Sequence, residues 1–303
     1  MLYLVLTVAL LDLTIVNWAY FGHKDKSYTK KTLATSFSPS AADKSILEDK
    51  SLDYRVLDLN NPFNNAETSY YHKSIGGYSG VKMQRYQDLI ERQISREMNA
   101  VVGSLQKQGQ GMVDVLASNQ VLNMLNTKYI IYNPEAAPIK NDFANGNAWF
   151  VKTVTTVNSA DEEMAQLNQT DLKSVAVIDQ TKFQTTKSIY STEGEIKLES
   201  YEPNNLNYNV DTKDDALVVF SEIYYNKGWN AYLDGQKVDY LRANYVLRAL
   251  EIPKGKHKVE FKFEPIAYVV GNKVALFTSI LLVLLLIFGI VKTVIDQRKS
   301  LEG

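Results

Sequence analysis

The stretch Val274 to Val291, VALFTSILLVLLLIFGIV, contains no charge and no proline. Wound as an α-helix it extends roughly 27 Å, close to the ~30 Å hydrocarbon core of a bilayer. A helix satisfies its own backbone hydrogen bonds in lipid, so this run reads as a transmembrane helix. Tyr268 stands where an aromatic interface anchor belongs, and Lys292, Arg298 and Lys299 follow the other end. The competing reading is a buried core helix. Any fold assigned to the rest of the chain must suit a domain tethered directly to a membrane.

A second apolar stretch, Met1 to Tyr20, lacks the basic start of a signal peptide and has no small-residue cleavage site after it. It reads as a transmembrane helix ending near Trp18 and Tyr20. Asp12 is then either near the interface, with the helix cut short at its amino end, or in the core, where a charge needs a partner or a function. The first alternative implies that Met1 is not a natural start and that further helices precede it. Lys292, Arg298 and Lys299 favour a cytoplasmic tail, whereas Lys24, Lys26, Lys30 and Lys31 argue for the opposite orientation. Charge counting is weak across large translocated domains, so the short tail is the better guide.

The chain has 303 residues and a formal net charge of -1, which gives no electrostatic case for nucleic acid. Its mean hydropathy of -0.21 requires a large polar portion between the apolar ends. There is no cysteine, which removes disulfides, zinc–thiolate sites and thiol nucleophiles together. With 3 histidines no metal centre is expected, nor is a cofactor, while 19 tyrosines supply ample stacking surface.

Hydropathy patterning predicts a membrane-anchored α+β chain. Two terminal transmembrane helices flank an extracytoplasmic α/β subdomain and an antiparallel β-sandwich. The boundaries are a transmembrane helix at 1–21, a linker at 22–50 with a short helix near Ala41 to Leu47, and the α/β subdomain at 51–187. The sandwich follows at 188–265, then a transmembrane helix at 266–293 and a cytoplasmic tail at 294–303. Within the α/β part, alternation predicts strands at Tyr54 to Leu59, Lys128 to Tyr132, Trp149 to Val157 and Ser174 to Ile178. Helices are predicted from about Val81, at Met112 to Leu125 and at Ala160 to Leu167. Asn60 to Ser69 and Pro134 to Asn147 read as loops. Glu91, Arg92, Arg96 and Glu97 read as a helix surface. After Ser188, short strands alternate with turn signals, and Asp234-Gly235 is a hairpin turn.

No nucleotide-binding loop, serine-hydrolase elbow or metalloprotease motif occurs. Gly76-Gly77-Tyr78-Ser79-Gly80 precedes a predicted helix and is positioned to offer N–H groups to an anion. Lys82 and Arg85 add positive charge, and His72 lies nearby; a phosphate-bearing lipid or sugar carrier suits such a site. The same pattern fits a plain glycine turn with solvated basic residues. Trp229, with Tyr224, Tyr225 and Tyr232, offers faces for stacking on sugar rings, although alternating aromatics in a sandwich are more often core. The candidate ligand-binding residues are therefore His72, Gly76, Gly77, Tyr78, Lys82, Arg85 and Trp229, with no catalytic residue identified.

The segments HKSIGGYSGVKMQRYQDLI, VLNMLNTKYIIY, NGNAWFV, YYNKGWNAYLDGQKV and IPKGKHKVEFKFEP together resemble the carboxy-terminal part of YfhO-type bacterial membrane proteins, over most of residues 1–292. That resemblance implies a polytopic protein of the bacterial cytoplasmic membrane, related to C-type glycosyltransferases. Such enzymes take sugar from a polyprenyl-phosphate donor at the outer face and serve cell-envelope polymers such as teichoic acids. Their catalytic carboxylate lies in an early extracytoplasmic loop, which has no match here, so no catalytic residue is carried over. The implied partners are the bilayer, a polyprenyl-phosphate sugar, envelope glycan and upstream transmembrane segments of the same protein. The implied function is the carboxy-terminal portion of such a transferase, its catalytic core lying elsewhere; the alternative is a non-enzymatic, membrane-anchored glycan-binding or assembly protein.

Overall fold

The computed structural model describes residues 2–21 and 38–302, with side chains considered over 5–21 and 38–298. The cationic stretch of the expected linker, with Lys24, Lys26, Lys30 and Lys31, lies outside the described residues. The chain divides into two compact units, one of Met1–Asp49, Val56–Tyr78 and Tyr129–Ile139, the other of Lys50–Arg55, Ser79–Lys128 and Lys140–Gly303.

The first unit opens with the helix Leu2–Phe21. Its described side chains, Val5–Phe21, form an apolar stretch, as expected for the outer part of a membrane helix. Among the described residues, one helix, Ile266–Arg298, is long and apolar enough to cross a membrane. The short helix Ala41–Ile46 starts at a capping box. The Asp43 N–H donates to Ser40 Oγ at 3.1 Å while the Ser40 N–H donates to Asp43 Oδ2 at 2.9 Å. Ala42 and Ile46 are buried. Strands β1 (Arg55–Asp58), β2 (Thr127–Ile131) and β3 (Ile139–Lys140) form a sheet in that order. Here β3 occupies part of the expected loop at Pro134 to Asn147, and a helical turn at Thr68–Tyr71 occupies the end of the one at Asn60 to Ser69.

In the second unit the helix predicted from Val81 starts at Gln84. Gln84–Leu89 runs through a π-helical turn, Ile90–Ile94, into Ser95–Gln106. Glu97, read as a surface residue, is buried, on the same stripe as Ile90, Ile94 and Val101. The helix expected at Met112 to Leu125 is interrupted: Met112–Ser118 and Gln120–Met124 meet at Asn119, whose ψ of 69° is not helical.

The segment Trp149 to Val157, expected as one strand, divides at Lys152. Strand β4 (Ala148–Val151) pairs with β9 (Ala216–Ile223), while β5 (Thr153–Val157) runs parallel to β6 (Val175–Asp179). The helix Ala160–Gln166 connects β5 to β6, a β–α–β crossover as parallel pairing requires.

The remaining strands are β7 (Gly194–Glu202), β8 (Asn205–Thr212), β10 (Trp229–Leu233), β11 (Gln236–Val238), β12 (Leu241–Ala243), β13 (Leu247–Ile252) and β14 (Gly255–Phe263). They form antiparallel sheets ordered β11-β10-β14-β8-β7 and β12-β13-β9-β4. Leu206, Tyr208 and Val210 alternate inward along β8 and share one core with Val218, Phe220, Leu250 and Phe261. The rings of Tyr208 and Phe261 each stack edge-on near Phe220, with Phe220–Phe261 centroids 4.9 Å apart. Seven consecutive residues of β9 are buried because both faces of that central strand are covered. The hairpin read at Asp234-Gly235 is present: both residues have positive φ, 52° and 79°, and Leu233 pairs with Gln236.

Strand β14 ends at Phe263, and the helix Ile266–Glu302 begins almost at once. Its Ile266–Arg298 portion is the helix with membrane-crossing length and composition. Helical geometry continues through the expected tail at 294–303 as far as Glu302.

Candidate functional site

The second unit contains a cleft of about 630 Å³ lined by Arg85, Lys182, Phe183, Tyr225, Arg242 and Tyr245 among others. Its geometry starts in the turn between β12 and β13. Asn244 and Tyr245 both adopt left-handed backbone, φ 50° and 70°, which asparagine tolerates and tyrosine resists. Asn244 is locked from both sides: its N–H donates to the Val177 carbonyl at 2.8 Å and its Oδ1 accepts the Val177 N–H at 2.9 Å. Held in this way, the Tyr245 N–H donates to Glu163 Oε1 at 2.9 Å.

Glu163 comes from the helix Ala160–Gln166, whose start is capped by Ser159. Its side chain is 0% exposed, and its Oε2 accepts from Arg85 Nη1 and Arg242 Nη2, each at 3.3 Å. Burial pushes the Glu163 carboxyl above its usual range, while Arg242, the Tyr245 N–H and Arg85 act against that shift. Arg242 also stands 3.8 Å from Asp179 Oδ2 and 5.2 Å from the Phe183 ring centroid. Its side chain is 10% exposed, and its Nε has no hydrogen-bond partner among the described residues. Arg85 stacks over the Tyr245 ring at 4.2 Å and donates to the Tyr245 carbonyl at 3.0 Å. The Tyr245 hydroxyl donates to Asp88 Oδ2 at 3.1 Å. Phe183 and Tyr224 meet edge to face at 5.4 Å, forming a wall, and Lys182 is exposed at the rim.

Arg85, Lys182 and Arg242 line the cleft, with the carboxylates of Glu163 and Asp179 against its arginines and that of Asp88 on Tyr245. The cleft is suited to an anion beside an apolar or ring-shaped group.

Residues 156–275 match the model of the family described as Bacterial membrane protein YfhO. The resemblance to YfhO-type proteins is shown over this region. It contains Glu163, Arg242 and Tyr245 and extends into the helix that begins at Ile266. No curated protein and no solved structure matches the chain.

Of the residues singled out from sequence, Arg85 lies in this cleft. Lys82 shares its unit but is absent from the cleft lining. His72, Gly76, Gly77 and Tyr78 belong to the first unit. His72 is buried there with Nε2 2.9 Å from Asp43 Oδ1. Burial raises the Asp43 carboxyl, but hydrogen bonds from Ser40 and His72 outweigh it and hold the group below its usual value. The Gly77 N–H donates to the Pro62 carbonyl at 2.7 Å and the Gly76 N–H to Ser74 Oγ at 3.0 Å, so both are satisfied internally. Tyr78 is exposed. Trp229 packs on the sandwich core, with the Arg248 guanidinium 4.1 Å over its ring.

Sequence reasoning missed Glu163, Arg242 and Tyr245. The available signal was Asn244, a turn former just ahead of an apolar run that was read as strand from Tyr245.

Proposed function

We propose that this chain is the carboxy-terminal extracytoplasmic and membrane portion of a polytopic glycosyltransferase-like protein. In this reading the second unit holds a sugar-bearing ligand of the cell envelope, and the catalytic core lies outside the chain. The observation that supports the reading is the aromatic-walled cleft with cations in its lining, set in the same unit as a helix of membrane-crossing length and lined largely by residues of the YfhO-family match. Aromatic walls suit sugar rings, and the cations suit the phosphate of a polyprenyl-phosphate donor or an acidic envelope polymer. Binding is favoured over chemistry in the cleft by the state of its buried carboxylate: both oxygens of Glu163 are occupied by Arg85, Arg242 and the Tyr245 N–H. The same observation favours the second reading, a non-enzymatic envelope glycan-binding protein.

The test is a titration of the full chain in neutral detergent with a polyprenyl-phosphate mannose and with purified teichoic acid. Saturable binding of either is expected. Failure of both to bind would overturn the sugar-handling reading. Sugar transfer by this chain alone would overturn the placement of the catalytic core elsewhere.

A further inference from the structure

Lys182 and Phe183, on one side of the cleft, belong to a strap outside every sheet. Strand β6 ends at Asp179. The chain is next held to a strand at Ser188, whose carbonyl accepts the Val154 N–H at 3.0 Å, and at Ile189, which bridges Thr153. Residues 181–187 lie between and are tied at both ends by a carboxylate. At the start, Asp179 Oδ1 accepts the Thr181 N–H at 3.0 Å and the Thr181 hydroxyl at 2.6 Å. The Asp179 carbonyl accepts the Lys182 and Phe183 N–H groups at 3.1 and 3.0 Å. At the end, Oε1 of Glu251 on β13 accepts the Thr186 N–H at 2.9 Å, the Thr186 hydroxyl at 2.6 Å and the Tyr190 hydroxyl. The Tyr190 hydroxyl in turn accepts the Lys187 N–H at 3.1 Å. Between the two ties, Gln184 and Thr185 make no hydrogen bond among the described residues. Half-buried Phe183 rests there against the Arg242 guanidinium and the Tyr224 ring.

We infer that residues 181–187 form a lid over the cleft, turning about Asp179, shut when Phe183 rests on Arg242 and Tyr224, and latched from outside the cleft by Glu251. A segment with few hydrogen bonds opens at low free energy, and lids are drawn from such segments. The two ties differ in kind. Asp179 also stands 3.8 Å from Arg242, so the hinge is fixed to the cleft itself. Glu251 is outside the cleft lining, in a separate pocket of about 200 Å³ with Thr186, Tyr190 and Asp215. There the donors converge on a single carboxylate oxygen, and hydrogen bonds to a charged acceptor are the strong ones. Losing that oxygen frees the far end of the strap and leaves the hinge in place. The exposed Lys187–Asp215 pair at 2.6 Å adds only a weak second hold. The inference rests on the proposed function only in taking this cleft as the ligand site; it concerns entry, whatever enters.

The chain has no cysteine, so a single introduced thiol is unique. The experiment times maleimide labelling of the purified full chain in neutral detergent. Thr185→Cys reports on the strap and Ile223→Cys on the cleft lining, both at half-buried positions. Lys256→Cys, exposed on the outer face of the sandwich and outside the cleft lining, is the control. Adding Glu251→Ala is expected to speed labelling at positions 185 and 223 about tenfold, and at 256 by less than about twofold. Thr186→Ala removes one donor from an exposed strap position without touching β13. It tests the latch even where Glu251→Ala loosens the sandwich, and is expected to speed both reporters about threefold. Faster labelling at 185 with none at 223 would show a tie of the strap alone and overturn the lid. Unchanged labelling at 185 in both variants, or equal acceleration at 256, would overturn the latch. No ligand enters the readout, so the sugar-handling reading and this inference fail independently.

Discussion

Arg85 and Arg242 reach the same carboxylate oxygen, each with a guanidinium nitrogen 3.3 Å from Glu163 Oε2. One buried acid therefore organises two cations from elements far apart in sequence, and its other oxygen holds the Tyr245 backbone. Removing that acid strands more polar groups than it removes.

Glu163→Ala is accordingly expected to destabilise the protein by about 3–5 kcal/mol, the usual cost of leaving buried charge uncompensated. Glu163→Gln keeps one acceptor and costs about 1–3 kcal/mol. Urea unfolding of both variants checks this. Equal stability of Glu163→Ala and the unchanged protein would show that the cluster is not held through this oxygen.

Glu97 gives a pH dependence. It is buried, and its oxygens accept the Val121 and Leu122 N–H groups at 2.9 and 2.8 Å. Burial raises its pKa from 4.5 to about 7, with the two N–H groups and Arg96 opposing. A raised carboxyl binds its proton more tightly folded than unfolded. Its contribution is therefore fully present below pH 4.5 and is lost as pH rises to about 7. The loss is on the order of 3 kcal/mol. Urea midpoints between pH 4 and 8 should fall across that window, and Glu97→Gln should flatten the decline. An unchanged slope in the variant would assign the dependence to another group.

The glycine motif separates by position. A Cβ on Gly76 would lie 1.9 Å from the Pro62 carbonyl oxygen, whereas nothing lies within 4 Å of one on Gly80. Gly76→Ala is expected to cost about 2 kcal/mol or more through the forced backbone shift. Gly80→Ala is expected to stay within about 0.5 kcal/mol. Hydrogen exchange over Ser74 to Gly77 reads the first effect, and matched protection in both variants would show that the loop tolerates the added methyl.

The apolar run at Val274 to Val291 was legible because membrane length and hydropathy are local properties of the chain. So was the Asp234-Gly235 hairpin, where two adjacent residues carry the turn. Glu97 was misread because its charge was taken as a sign of exposure, although its spacing from Ile90, Ile94 and Val101 sets it on the buried stripe. Lys152 ended one strand and began another, a division that alternation across Trp149 to Val157 does not reveal.

Periodicity, turn residues and apolar length by themselves determined that this is an α+β chain with antiparallel sheets next to a helix of membrane-crossing length and composition. They also singled out Arg85 as a possible ligand contact. Tertiary structure alone decided that Arg85 meets Glu163, Arg242 and Tyr245, and that the N–H groups of Gly76 and Gly77 are bonded internally. The reason is physical. Helix period and strand alternation are short-range, whereas a buried ion cluster forms only when residues separated by scores of positions lose water together, and its partners are set by that shared desolvation.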